Sequence, residues 1–255
     1  LSGDDILMNY SHRLKIGIIG SSGRMGAALK RILDHHPKYE IVLGINRADE
    51  SNFLHNLKQI FILADIVIDF SNPEITLEIL KSANLPASKA SLVLCTTGWS
   101  DTGEIKQELQ ALAAKSTIIV ASNTSVGATL QMYLVKKMAA ILPDNYDIDI
   151  FEKHHRYKKD TPSGTAKSLA QSIQSATPNE NKSIHIQSQR SGHLPGDHEV
   201  SFTSELERIS VQHIAYDREL FAQGAIVICD WIFKKKAANP NFQGRYSMFD
   251  VLELL

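Results

Sequence analysis

Leu14-Lys15-Ile16-Gly17-Ile18-Ile19-Gly20-Ser21-Ser22-Gly23-Arg24-Met25-Gly26 is the stretch that decides the fold. Its first part, Leu14 to Gly20, is an apolar run that reads as a buried strand. From Arg24 to His35 the apolar residues Met25, Leu29, Ile32 and Leu33 recur at helical spacing. A strand, a glycine-rich turn and a helix opening in immediate succession form the setting that a dinucleotide-binding loop requires. The glycines permit a tight turn and a close approach of backbone to a pyrophosphate. The helix N-terminus adds N–H groups and a partial positive charge. The spacing is G-x-x-G-x-x-G rather than the commoner G-x-G-x-x-G, and a purely structural turn is the plainer alternative. Gly20, Ser21, Ser22, Gly23, Arg24 and Met25 are the candidate cofactor contacts of this loop.

Further apolar runs follow at Ile41 to Ile45, Ile66 to Phe70, Leu92 to Thr96 and Thr117 to Ala121. Helical segments are expected from Pro73 through Leu80 and from Thr102 to Lys115. Strands alternating with helices predict a mainly parallel sheet covered on both faces, a Rossmann-like arrangement. Asn46-Arg47 ends the second strand, where such folds discriminate the adenosine ribose. An acid there suits a 2′-hydroxyl and an arginine suits a 2′-phosphate, so Arg47 points to NADPH in preference to NADH. A solvated turn is the competing reading of Arg47. Cys95-Thr96-Thr97-Gly98 and Ala121-Ser122-Asn123-Thr124 end the fourth and fifth strands. Both are small and polar, as a loop under a nicotinamide ring would be, although each taken alone is equally an ordinary turn.

The pattern changes after Asn123. A long helix is expected from Val126 to Leu142, then a strand at Ile148 to Glu152 and a helix from about Thr165 to Ser175. Strands follow at Ile184 to Arg190, Glu199 to Thr203 and Ile209 to Ile214, then an apolar helical run at Gly224 to Phe233. The fold class is therefore α/β, with a second, α+β domain built on a mixed sheet. The expected division is 13–123 for dinucleotide binding, 124–217 for substrate binding and oligomerisation, and 218–255 returning to the first domain.

The 255 residues are 43% hydrophobic, which supplies a proper core, and the formal net charge is −1. That charge argues against a nucleic-acid binder acting through general basicity. The two cysteines, Cys95 and Cys229, lie in apolar runs and read as reduced thiols of a cytoplasmic protein. No apolar run reaches membrane-spanning length. Met8 is a plausible natural start.

Between the strand at Ile148 and the next helix lies Glu152-Lys153-His154-His155-Arg156-Tyr157-Lys158-Lys159-Asp160-Thr161-Pro162-Ser163-Gly164-Thr165. From His154 to Lys159 it sets two histidines, an arginine and two lysines beside a helix start. Such a corner can hold an anion and pass it a proton. A solvated basic loop is the bland reading. A metal site at His154 and His155 is a competing one. Adjacent residues of an extended chain point to opposite sides, which makes shared ligation awkward, and no metal is expected.

Together these segments resemble the 4-hydroxy-tetrahydrodipicolinate (dihydrodipicolinate) reductase family. The resemblance rests on Gly23-Arg24-Met25-Gly26, Asp69-Phe70-Ser71-Asn72-Pro73-Glu74, Thr96-Thr97-Gly98, Asn123-Thr124-Ser125-Val126-Gly127 and the histidine–lysine corner with Pro162-Ser163-Gly164-Thr165. Pro195 to Val200 and Arg218 to Ala225 also match. Cys95 stands where the family usually has glycine. The resemblance implies hydride transfer from NADPH or NADH to a cyclic imine dicarboxylate in the diaminopimelate route to lysine. It implies His154 as acid/base and Lys158 as proton donor. His155, Ser163, Gly164, Thr165 and Thr97 would contact the small-molecule dicarboxylate. The cofactor residues would be those of the glycine loop with Asn46, Arg47, Cys95, Thr96, Thr97, Ala121, Ser122, Asn123 and Thr124. It further implies an active site in the cleft between the domains and a homotetramer, with neither nucleic acid nor membrane as partner. A dehydrogenase of another substrate, or a non-catalytic nucleotide-sensing module, would not need the histidine–lysine corner.

Overall fold

The computed structural model of the protein describes residues 13–47, 52–179 and 181–254; Met8 and residues 48–51 lie outside them. In chain order the elements are β1 (Leu14–Ile19), α1 (Arg24–Leu33), β2 (Tyr39–Ile45), α2 (Phe53–Leu63), β3 (Ile66–Asp69), α3 (Thr76–Ala83), β4 (Ser91–Leu94), α4 (Gly103–Ala113) and β5 (Thr117–Val120). Then come α5 (Val126–Ile141), β6 (Asp147–His154), α6 (Gly164–Gln174), β7 (Ile184–Arg190), β8 (Gly196–Thr203), β9 (Arg208–Ala215), α7 (Glu219–Ala238), β10 (Gly244–Tyr246) and α8 (Met248–Val251).

The chain divides into two compact units. The first runs through Ser122 and resumes over Ala225–Ser247; the second is Asn123–Gly224 with the residues from Met248 onward. The segment expected to return whole to the first domain is thus shared between the units, and Asn123 belongs to the second.

The first unit is a six-stranded sheet in the order β10-β5-β4-β3-β1-β2, parallel throughout. Parallel strands buried on both faces need continuous apolar runs, and these strands have them. Ile19, Val67, Leu92, Leu94 and Ile118 pack on one face with Leu57, Ile60 and Phe61 of α2. Ile16, Ile18, Ile68, Val93 and Ile119, which alternate with them, are as fully buried. Each such side chain contributes about 1.5–3 kcal/mol by leaving water. The 225–238 part of α7 is tied to β2, where Asp230 accepts a hydrogen bond from the Tyr39 hydroxyl at 2.6 Å. It also meets β10, where the Trp231 ring lies edge-on to Tyr246.

Chain order reverses between β1 and β3, and the carboxyl ends of those strands mark where ligands bind in such sheets. Gly20 sits there with φ +80, a conformation that favours glycine, and a Cβ on it would lie 2.7 Å from the Phe70 carbonyl oxygen.

The second unit is a four-stranded mixed sheet in the order β7-β6-β8-β9, with β6 parallel to β7 and antiparallel to β8. Along β6 every second residue is buried: Ile148, Ile150, Glu152 and His154. The first two join Val200 and Phe202 of β8 and the inner sides of α5 and α6 in one apolar core. The last two continue the same face beyond it, so the sheet carries a carboxylate and an imidazole inward.

Candidate active site

Two sites are built separately, one in each unit. In the first unit the glycine loop runs from the end of β1 into α1. A Cβ on Gly26 would stand 2.3 Å from the Gly20 carbonyl oxygen, so only glycine lets the first turn of α1 close on the loop. The N-cap of α1 is Gly23, with no side chain to bond the first-turn N–H groups. Those donors and the exposed Arg24 are therefore available to an anion. A glycine cradle with an uncapped helix start fits a dinucleotide pyrophosphate.

Asn46 anchors this loop. Its Oδ1 accepts from the Ser22 N–H at 2.7 Å and the Ser22 hydroxyl at 2.8 Å, and its Nδ2 donates to Ser21 Oγ at 3.1 Å. Ser21 is buried against β2, where a Cβ on Gly44 would meet its hydroxyl. Arg47 follows, exposed at the strand's end. Cys95 and Thr96 are buried beyond β4, whereas Thr97 and Ser122 are exposed and Ala121 is buried. Asp69, fully buried at the end of β3, has its pKa raised by burial against the opposing hydrogen bonds from Ser71.

Asn123 and Thr124 turn toward the second unit's own groups. Asn123 Nδ2 donates to Thr165 Oγ1 at 3.3 Å. The buried Thr124 hydroxyl donates to the Phe221 carbonyl at 2.6 Å. Gly224 presses so closely there that a Cβ would overlap the Thr124 carbonyl oxygen at 1.8 Å. The Thr124 hydroxyl is thus bonded within the second unit.

The corner of the second unit starts at the last residue of β6. His154 is 5% exposed. Beyond it, His155 N–H donates to the Leu194 carbonyl and Arg156 N–H to that of Gly192, which sets the loop against its neighbour. Lys158 Nζ lies 2.8 Å from Asp160 Oδ1. Ser163 caps α6, its Oγ accepting from the Ala166 N–H at 3.2 Å, which leaves Gly164 and Thr165 as the first helical residues. Their N–H groups have no helical acceptor, so they can bind an anion. His154, His155, Lys158, Ser163, Gly164 and Thr165 are thereby gathered on one unit; Thr97 lies on the other.

Several residues of this corner carried no assigned role in the sequence. Glu152 is fully buried, and its Oε1 accepts from the Ser163 N–H at 3.1 Å, Ser188 Oγ at 2.6 Å and Arg190 Nη2 at 2.8 Å. Arg190 Nη2 also donates to the Asp160 carbonyl at 2.7 Å. Register explains the gathering: Glu152 pairs with Ser188 on β7 and with His198 on β8, and His154 pairs with Arg190. His198 Nε2 stands 3.1 Å from Ser163 Oγ. That hydroxyl also accepts from the Ala166 N–H, and the tautomer of His198 decides which of the pair donates. Arg218 Nη2 donates to His155 Nε2 at 2.9 Å.

Burial would raise the Glu152 pKa, but the hydrogen bonds from Ser163, Ser188 and Arg190 outweigh it and hold it at about 2. Burial lowers His154 to about 4; Glu152 opposes the shift, and Lys158 and Arg190 reinforce it. His198 falls to about 3 through burial and the neighbouring His154. At neutral pH the corner therefore holds an ionised Glu152 and two neutral imidazoles.

Comparison with known proteins places these two units in one family. A model of the N-terminus of dihydrodipicolinate reductase matches residues 14–124, and one of its C-terminus matches residues 127–252. A 4-hydroxy-tetrahydrodipicolinate reductase of Chlamydia caviae is 33% identical over 235 residues, spanning 87% of this chain and 93% of its own. One of Wolbachia sp. subsp. Drosophila simulans is 34% identical over 270 residues, spanning 94% of this chain and 100% of its own. Dipicolinate-bound dihydrodipicolinate reductase from Paenisporosarcina sp. TG-14 shares the fold, with a TM-score of 0.75 at 23% identity over 92% of this chain and 98% of that one.

Proposed function

The chain belongs to the dihydrodipicolinate reductase family, and we propose that it reduces 4-hydroxy-tetrahydrodipicolinate (dihydrodipicolinate) to tetrahydrodipicolinate in the diaminopimelate route to lysine. The observation that carries this reading is that His154 ends β6, Glu152 of the same strand accepts the N–H of Ser163 at the open N-terminus of α6, and the Lys158 charge acts on the His154 ring.

Gly20, Ser21, Ser22, Gly23, Arg24 and Met25 would hold the dinucleotide's pyrophosphate, with Asn46 and Arg47 toward the adenosine ribose and the ends of β4 and β5 toward the nicotinamide. The reduced nicotinamide, when bound, supplies the hydride. The remaining work falls to the second unit. Gly164 and Thr165 N–H groups and the Thr165 hydroxyl bind a substrate carboxylate, helped by the positive end of α6. Hydride addition at one end of a conjugated imine requires a proton at the other. The Lys158 ammonium pairs with a substrate carboxylate and donates that proton, and the neutral His154 takes up or returns one as acid/base. His155, oriented by Arg218, contacts the carboxylate.

NADPH is the preferred cofactor in this reading, supported by the exposed Arg47 and by the absence of an acid at Asn46. A homotetramer is supported by the apolar stripe Val126, Leu130 and Leu134 on α5, each about two-fifths exposed. A cytoplasmic location is supported by the two buried, free cysteines. Among the described residues no helix is long and apolar enough to cross a membrane. Following NADPH absorbance with freshly made product of the preceding synthase tests the activity. Oxidation that depends on that imine is expected; none at any imine concentration would refute it.

A further inference from the structure

The carboxylate of Glu152 has two unlike oxygens. Oε1 is saturated by Ser163, Ser188 and Arg190. Oε2 has no hydrogen-bond partner among the described residues, and neither has His154 Nδ1, although the two atoms are buried 2.9 Å apart. That is a hydrogen-bonding distance whose angle falls short of alignment, and a small turn of the imidazole completes it. A buried carboxylate oxygen left without a bond keeps its full desolvation penalty, so the completed bond is the favoured state.

We propose that Glu152 is a positioning residue for His154. It holds the imidazole as the Nδ1–H tautomer, keeps Nε2 free to handle the proton, and stabilises the imidazolium when one is taken up. The inference rests on the reductase reading above and deepens it. The same carboxylate accepts the N–H of Ser163, the cap of α6. One buried anion therefore fixes both the ring that moves a proton and the helix start that grips the substrate. Ser188 and Arg190 are its fasteners on β7, so the geometry is set by rigid strands rather than by the loop. Five groups face the His154 ring: Glu152 on its own strand, His198 on β8, Arg190 on β7, and Lys158 with Asp160 on the loop.

Glu152, His154 and His198 also offer three atoms within 4.8 Å that could hold a metal ion. The Arg190 guanidinium already bound to that carboxylate, with Lys158 beside it, makes a second cation there electrostatically unfavourable.

The test is a double-mutant cycle with a spectroscopic arm. Glu152→Gln should lower kcat on the order of tenfold to a hundredfold, at or below the roughly hundredfold to ten-thousandfold that a placed acid–base group contributes, with a smaller change in KM. In a His154→Ala background the same change should cost less than about twofold in kcat, because the ring it serves is gone, and any loosening of the α6 start appears in KM instead. A full, additive loss in that background overturns the proposal. Nitrogen-15 histidine spectra of the wild-type protein should show His154 protonated at Nδ1 and bare at Nε2; the opposite tautomer overturns it without reference to activity or to a variant's folding. About one equivalent of bound metal per chain, by elemental analysis, would overturn it also. Wild-type protein inert toward the imine would instead strike the reductase reading, while the tautomer result stands apart.

Discussion

Asn46 and Ser22 are joined twice: the backbone N–H and the hydroxyl of Ser22 both donate to the one Asn46 side-chain oxygen. The residue at the end of β2 thus shapes the glycine loop after β1. Asn46→Ala should lower stability by about 0.5–1.5 kcal/mol and raise the KM for the dinucleotide, with kcat at saturation little changed. Cofactor titrations with wild-type KM would contradict this anchoring.

Arg47 has a narrower part. Its exposed guanidinium is available to a 2′-phosphate. Arg47→Ala should cut kcat/KM for NADPH about tenfold or more and leave NADH nearly unaffected. Equal losses with both cofactors would remove the basis for an NADPH preference.

Acid should unfold the second unit through three groups at once. His154 and His198 titrate at about 4 and 3 when folded, against 6.5 when unfolded, so below pH 6.5 the unfolded chain binds their protons first. Glu152 titrates at about 2 against 4.5, so from pH 4.5 downward the unfolded chain again gains the proton first. All three shifts remove stability as pH falls, the histidines between 6.5 and 3 and the glutamate between 4.5 and 2. A few kcal/mol should be lost between pH 7 and 4. Urea midpoints measured across that range should fall steadily, and a flat profile would contradict the buried, neutral state of the two imidazoles.

How far the sequence revealed this molecule follows from where each signal lay. The strands of the first sheet are continuous apolar runs with glycines between strand and helix, and local pattern suffices for them. The helix α2 was missed although Phe53, Leu57, Ile60 and Phe61 recur at helical spacing. The strand β10 is three residues, Gly244–Tyr246, too short to show a period, and it exists because β5 offers an edge. At the corner, His154, Lys158 and Ser163 were legible because they sit together in the chain. Glu152 could have been found by counting in twos from Ile148, since the buried face runs Ile, Ile, Glu, His. Arg190 lies 38 residues beyond Glu152 and His198 farther still, and only strand register brings them in. Asn123 illustrates the limit of motif reading: it ends a first-unit strand segment in sequence, yet its amide bonds Thr165 of the second.

The central claim is that the corner from His154 to Thr165 grips a dicarboxylate. Calorimetric titration of pyridine-2,6-dicarboxylate into the protein saturated with reduced cofactor, for wild type and Lys158→Ala, tests it most directly. The wild type should bind, and the variant should bind about tenfold or more weakly, the loss of one charge-assisted bond, with an unchanged melting temperature. The same Kd for both proteins, or no binding to the wild type, would contradict it.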